Sequence, residues 1–208
     1  MFKPEKFGHD QLIPTASLLF FSTSSDNVMN TFSKRLFLLV TLAVANQELT
    51  AMPPPEPPLL NFEQVNYHHR WSKDSQHEYT PQGQEDLNHW SNMITINRYE
   101  KATDGEGLAA VANAVLENYK SHEAMVLKTD SVPRTPTQPA EYLIVVLFPR
   151  PEYIEAVFAR FKLLSGTGCA MIYSHRENGK KAGNEMSAWL QKNGPQVEQH
   201  LMAWAPAL

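Results

Sequence analysis

Cysteine is nearly absent: Cys169 stands alone among 208 residues, so no intrachain disulfide can form and no thiolate cluster can hold a metal ion. Positive charge is also sparse. Lys and Arg number 18 against 22 Asp and Glu, a net charge of −4, and they form no stripe of the kind that neutralises a phosphate backbone. That balance speaks against a nucleic-acid partner. The signatures of common catalytic machinery are missing as well. There is no Gly-x-Ser-x-Gly elbow, no His-Glu-x-x-His helix and no clustered-Asp calcium loop, and no Lys-Ser/Thr pair follows Gly166 and Gly168. Ser174 and His175 are neighbours on an expected strand and so face apart. Cys169 opens an apolar strand, where a buried, unreactive thiol is the ordinary outcome.

What the chain does have begins with an export signal. From Met29 it reads MNTFSKRLFLLVTLAVANQELTA, with Lys34 and Arg35 as a basic front and Leu36 to Ala45 as a mostly apolar stretch. That stretch falls short of the roughly 20 apolar residues a membrane-spanning helix needs. It reads as a signal peptide over residues 29–51, cleaved near Ala51 and leaving no stable membrane span in the mature form. Residues 1–28 precede a signal that normally stands first. They read as a non-native or disordered extension, with translation starting at Met29. Residues 52–60, opening MPPPEPP, favour polyproline II and form a stiff linker. Residues 61–208 are then a single domain of an exported protein, periplasmic or secreted. The chain from Met52 onward still has a net charge of −4, because residues 1–51 hold four basic and four acidic side chains.

Within the domain, Val65, Tyr67, His69 and Trp71 alternate with polar residues as a half-buried strand does. Lys73 to Gln76 is a turn and His77 to Thr80 a return strand. Trp90 to Tyr99 is a further strand, with Ile94 and Ile96 on one face. Leu108, Val111, Ala112, Val115, Leu116 and Tyr119 recur at helical spacing, with Thr103 and Glu106 as a capping box. Ala124 to Thr129 is a short strand. Glu141 to Phe148 (EYLIVVLF), between prolines, reads as a central strand buried on both faces. Tyr153 to Leu164 and Cys169 to Arg176 form a hairpin joined by Ser165 to Gly168. Asn193 and Gly194 then divide two short helices, Glu185 to Lys192 and Pro195 to Trp204. This order gives an α+β class: a mostly antiparallel sheet with one central amphipathic helix and C-terminal helices packed on it.

The strand Trp90-Ser91-Asn92-Met93-Ile94-Thr95, the amphipathic helix after it, the three-stranded run from Glu141 to Arg176 and the terminal helix resemble, in element order, small exported bacterial proteins with a PsbP/Mog1-like α/β/α sandwich. The resemblance implies a non-enzymatic binding or assembly module. It transfers no catalytic residue, and the second terminal helix departs from the pattern.

Two sets of side chains are candidate sites. Tyr67, Trp71, Tyr79 and Trp90 form a platform for a ligand or partner if they share an exposed face, and fill the core if they do not. His69, His77 and His89, with His68, Glu78 and Glu85 nearby, offer zinc or copper ligands if the hairpin gathers them; His68 and His69 point apart. The carboxylates Glu152 and Glu155 read as a solvated strand surface, and His175, Arg176, Lys180 and Lys181 as a basic loop cluster. The leading expectation is a non-enzymatic binding or accessory protein without cofactor, its protein or small-molecule partner unspecified. The alternative is a metal-dependent enzyme, with zinc, using the histidines of residues 68–89.

Overall fold

Two four-stranded antiparallel meanders joined along one seam make the domain, seen in a computed structural model that describes residues 59–206. The proposed extension, signal peptide and most of the Pro-rich linker lie outside the described residues. The first meander is β1 (Leu60–Phe62), β2 (Val65–Lys73), β3 (Gln76–Pro81) and β4 (Asn92–Tyr99). Helix α1 (Gly105–Ser121) carries the chain to the second: β5 (Met125–Val132), β6 (Glu141–Pro149), β7 (Tyr153–Leu164) and β8 (Thr167–Asn178). The strands run in the order β1-β2-β3-β4-β8-β7-β6-β5, every neighbouring pair antiparallel. Helix α2 (Ala182–Ala203) ends the fold.

Turn chemistry sets the hairpins. Between β7 and β8 the two-residue turn Ser165-Gly166 has both φ angles positive, 50° and 79°, the mirror-image turn that matches strand twist. Glu63 and Gln64 make the same turn between β1 and β2 at φ 49° and 65°, without glycine to ease it.

Alternation along the strands sorts the core onto two faces. One face presents Ile94, Ile96, Leu143, Val145, Phe158, Met171 and Tyr173 to Met186, Val197 and Leu201 of α2. The other carries Phe148, which meets Tyr119 of α1 edge-on at 5.4 Å. The sheet is therefore layered between helices, and β4, β6, β7 and β8 are buried on both faces over much of their length. Strand β6 is buried as its apolar run predicts, yet it lies second from the edge; β4 and β8 hold the centre. Among the described residues no helix is long and apolar enough to cross a membrane.

Helix starts and stops depart from the sequence reading in two places. The α1 cap is Asp104, whose Oδ1 accepts from the Gly107 amide at 2.7 Å, in place of Thr103. The two expected C-terminal helices are one, with Pro195 inside it. Proline removes a donor to the preceding turn, and Asn193 Nδ2 donates to Trp189 O at 3.0 Å just before it. The helix continues because Met186, Leu190, Gly194, Val197 and Leu201 form one unbroken stripe against the sheet, so tertiary burial outweighs the local stop signal.

The α2 C-terminus is fastened from below by Arg160 of β7. Its Nη1 donates to Leu201 O at 2.9 Å and Trp204 O at 2.7 Å, while Nε and Nη2 grip Glu141 Oε2 at 2.9 and 2.6 Å. Those carbonyls carry the negative end of the helix dipole, which a buried guanidinium satisfies.

Candidate functional site

A β-bulge decides what the β2–β3 hairpin presents. The pairing of β2 with β3 slips between His69 and Trp71: His69 faces Tyr79, Trp71 faces Glu78 and Ser72 faces His77. Strict alternation would separate Ser72 from His69. The extra residue, Arg70, instead turns Ser72 onto the face of His69 and His77. Ser72 Oγ then sits 2.6 Å from His69 Nε2 and 2.7 Å from His77 Nδ1. Arg70 is held by Thr80 Oγ1 at 2.9 Å, Pro81 O and Glu85. Both histidines are half-buried and Ser72 is exposed. Burial, with His69 and Arg98 nearby, pushes the His77 imidazole below its usual range.

His89, the third expected ligand, is exposed and pairs with Asp86 Oδ2 at 2.8 Å. Among the described residues no three His, Cys, Asp or Glu side chains are grouped to hold a metal ion. The aromatic set disperses likewise. Tyr67, Tyr79 and Trp90 are buried, and only Trp71 is half-exposed. The bulge sends Trp71 to the face opposite Tyr67 and Tyr79.

A second polar cluster lies beneath α2. Asn92 Oδ1 accepts from Tyr173 Oη at 2.8 Å and stands 2.9 Å from His175 Nδ1, while His175 Nε2 is 3.1 Å from Glu177 Oε1. The Trp189 indole stacks on His175, centroids 3.9 Å apart and planes 8° from parallel. Burial holds the His175 pKa below 6.5, against the pull of Glu177. Protonation is therefore costlier in the folded than in the unfolded chain, and the stability His175 contributes is present above about pH 6.5 and lost as pH falls through the window below it. His175→Gln is expected to flatten the fall in urea midpoint between pH 7.5 and 5.5, a fall limited to about 1.4 kcal/mol per pH unit for one proton. Parallel curves for variant and parent would show that His175 does not set this dependence.

Arg176, placed by its sequence neighbours in a basic loop cluster, is buried in β8. So is His175, which leaves only Lys180 and Lys181 exposed. The Arg176 guanidinium lies between the rings of Trp90 and Tyr153, 3.9 and 4.1 Å from their centroids, and donates to Glu155 Oε2 at 3.0 Å. Glu155 is correspondingly buried, against the expectation of a solvated surface; its burial raises the carboxyl pKa and Arg176 opposes the rise. Alternation along β7 put Glu155 on a face, and its partner there is Arg176, itself covered by Trp90, distant in sequence.

The most exposed apolar feature is β5. All eight of its residues are exposed, among them Met125, Val126, Leu127 and Val132 at 40–57%. Its inner edge pairs with β6, bulged at Leu127, and among the described residues its outer edge borders no strand. Beside it a groove of about 330 Å³ runs toward α2, lined by Lys128, Leu143, Pro195, Glu198 and Met202 among others. Lys128 bridges to Glu198 at 2.6 Å.

One protein-family model matches residues 53–204. The chain belongs to that family. Among solved structures the chain is similar to the Ran-binding protein Mog1p of Saccharomyces cerevisiae, with 13% identity, 67% of this chain and 86% of that chain covered, and a TM-score of 0.41. It is also similar to PA94 of Pseudomonas aeruginosa, a protein of unknown function, with 13% identity, 73% and 97% covered, and a TM-score of 0.41. None of the curated proteins matches the sequence significantly.

In this member of the family, three features went unread in the sequence. Arg160 lies within the expected strand Tyr153 to Leu164 with nothing in its spacing to mark it; its partners at Glu141 and on α2 are remote. The bulge at Arg70 carries no glycine to announce it. The apolar content of β5 (MVLKTDSV) was visible, but not that neither helix would cover it.

Proposed function

We propose that the mature protein is a small exported, non-enzymatic binding or accessory protein whose partner docks as an extended segment along β5. The carrying observation is the exposure of that whole strand, apolar residues included, at the sheet edge. An unpaired edge offers a row of backbone donors and acceptors, and adding a strand to it is a common mode of peptide recognition. The neighbouring groove supplies a place for side chains, with Leu143 and Met202 as apolar lining and Lys128 and Glu198 as opposite charges. Export rests on the basic-then-apolar segment from Met29 to Ala51. Periplasm or extracellular space is then where the partner meets it.

Site-specific photo-crosslinking in the native host tests the docking. A crosslinker at Leu127 of the full chain should yield a discrete adduct that is absent when the crosslinker stands at Asn113, on the exposed side of α1. Val126→Lys should abolish the adduct. Equal labelling at both positions, or none at Leu127, refutes β5 as the docking edge. The mass of the recovered protein tests export independently: a chain beginning at Met52 supports it, and an unprocessed chain refutes it.

A further inference from the structure

We propose that His69 and His77 form a two-imidazole site for a divalent late transition-metal ion, with Ser72 Oγ marking the place the ion takes. The site lies on β2 and β3, in the half of the sheet away from β5, and is independent of the docking reading.

Two observations converge on it. First, His69 Nε2 and His77 Nδ1 approach the same atom, Ser72 Oγ, at 2.6 and 2.7 Å. Two ring nitrogens aimed at one point need only a small closure to reach the 2.0–2.1 Å or so of a metal–imidazole bond. Ser72, exposed at the hairpin end, can rotate its hydroxyl aside to let the ion in.

Second, the convergence is built by the backbone. The bulge at Arg70 places Ser72 on the histidine face, and Arg70 is pinned by Thr80, Pro81 and Glu85. The His69 ring is braced edge-on against buried Tyr79 at 5.3 Å. The ligands are therefore oriented before any ion arrives, which removes part of the ordering cost of binding.

Imidazole nitrogen favours Zn²⁺, Ni²⁺ and above all Cu²⁺, and does not suit Mg²⁺ or Ca²⁺. Two protein ligands leave the remaining positions to water, so the ion stays accessible from solvent. His89 takes no part, being engaged with Asp86.

Titration of the full chain with CuCl₂, followed by electron paramagnetic resonance, tests the assignment. The expected spectrum is one Cu²⁺ per chain with hyperfine coupling to two imidazole nitrogens. His69→Gln and His77→Gln should each weaken binding on the order of tenfold or more, the range commanded even by the outer partners of metal ligands. His89→Gln and Ser72→Ala should leave it intact, and the Ser72 variant keeps both ligands should either histidine substitution disturb the hairpin. Binding that survives both histidine substitutions, that vanishes with Ser72→Ala, or that follows His89, His122 or His200 overturns the proposal.

Discussion

Arg160→Ala is expected to cost about 3–5 kcal/mol of stability, read as a drop in urea midpoint at pH 7. The side chain is 3% exposed, and its loss breaks two links at once. Glu141 is left in the sheet without its closest cation, and the carbonyls of Leu201 and Trp204 lose the guanidinium at the end of α2. Burial pushes the Glu141 carboxyl up, but Lys162 and Arg160 together hold it below the usual range. With only Lys162 remaining, Glu141 titrates higher, so the variant also loses part of the parent's stability increment above the carboxylate range. Lys162→Ala is the control. That lysine is one-third exposed and bonds the same carboxylate at 2.9 Å, and its removal should cost no more than about 1 kcal/mol. Equal effects from the two substitutions would mean that the buried guanidinium is not what fastens the helix.

Arg176→Ala belongs to the same class and has a distinct pH signature. The guanidinium is clasped between Trp90 and Tyr153 and neutralises Glu155, whose side chain is 3% exposed. Without it a carboxylate would stay buried with no partner cation, a loss of about 3–5 kcal/mol at pH 7. Glu155 escapes that cost by taking a proton. Its folded pKa, already raised by burial, rises further in the variant, so the stability of the variant is greatest below the unfolded carboxyl pKa of about 4.3 and falls as pH rises through the folded value. The difference from the parent should therefore be larger at pH 7 than at pH 5. The double variant Glu155→Leu/Arg176→Met should recover much of the loss, because an apolar pair of similar volume needs no solvation. A double variant as unstable as the single one would show that the ring contacts of Arg176, and not its charge, matter most.

The architecture was legible where periodicity speaks and illegible where cover is non-local. The stripe Leu108, Ala112, Val115 and Tyr119 announced α1, and the apolar run of β6 announced a strand buried on both faces. The turns at Ser165-Gly166 and before Gln76 placed their hairpins. The break expected at Gly194-Pro195 failed because local stop signals say nothing about the sheet underneath. The site was half legible: His69 and His77 do meet, whereas His89 and the aromatic platform do not assemble. The reason lies in one residue. A bulge at Arg70 flips every side chain after it, and no spacing rule applied to Val65, Tyr67, His69 and Trp71 foretells it. Glu155 and Arg176 were read as solvent-facing because charge is the only thing a sequence shows of them, while Trp90, which stacks on Arg176, comes some 85 residues before it.

The seam between β4 and β8 has a consequence for how the chain finds its fold. Six of the seven strand pairings join neighbours in sequence, and each closes a short loop. Only β4 with β8 must bring together residues about 80 apart, as Asn92 and Tyr173 are. Loop-closure entropy grows with the logarithm of separation, so this contact carries the largest single closure cost, and the two meanders can form as separate units before it closes. Docking of the two halves is then the expected slow step, checked by whether β4–β8 contacts form last in refolding. Until that moment β4 and β8 are both open edges, each able to capture the complementary half of another molecule. Exchange of halves between two chains is the expected failure when refolding is attempted at high concentration.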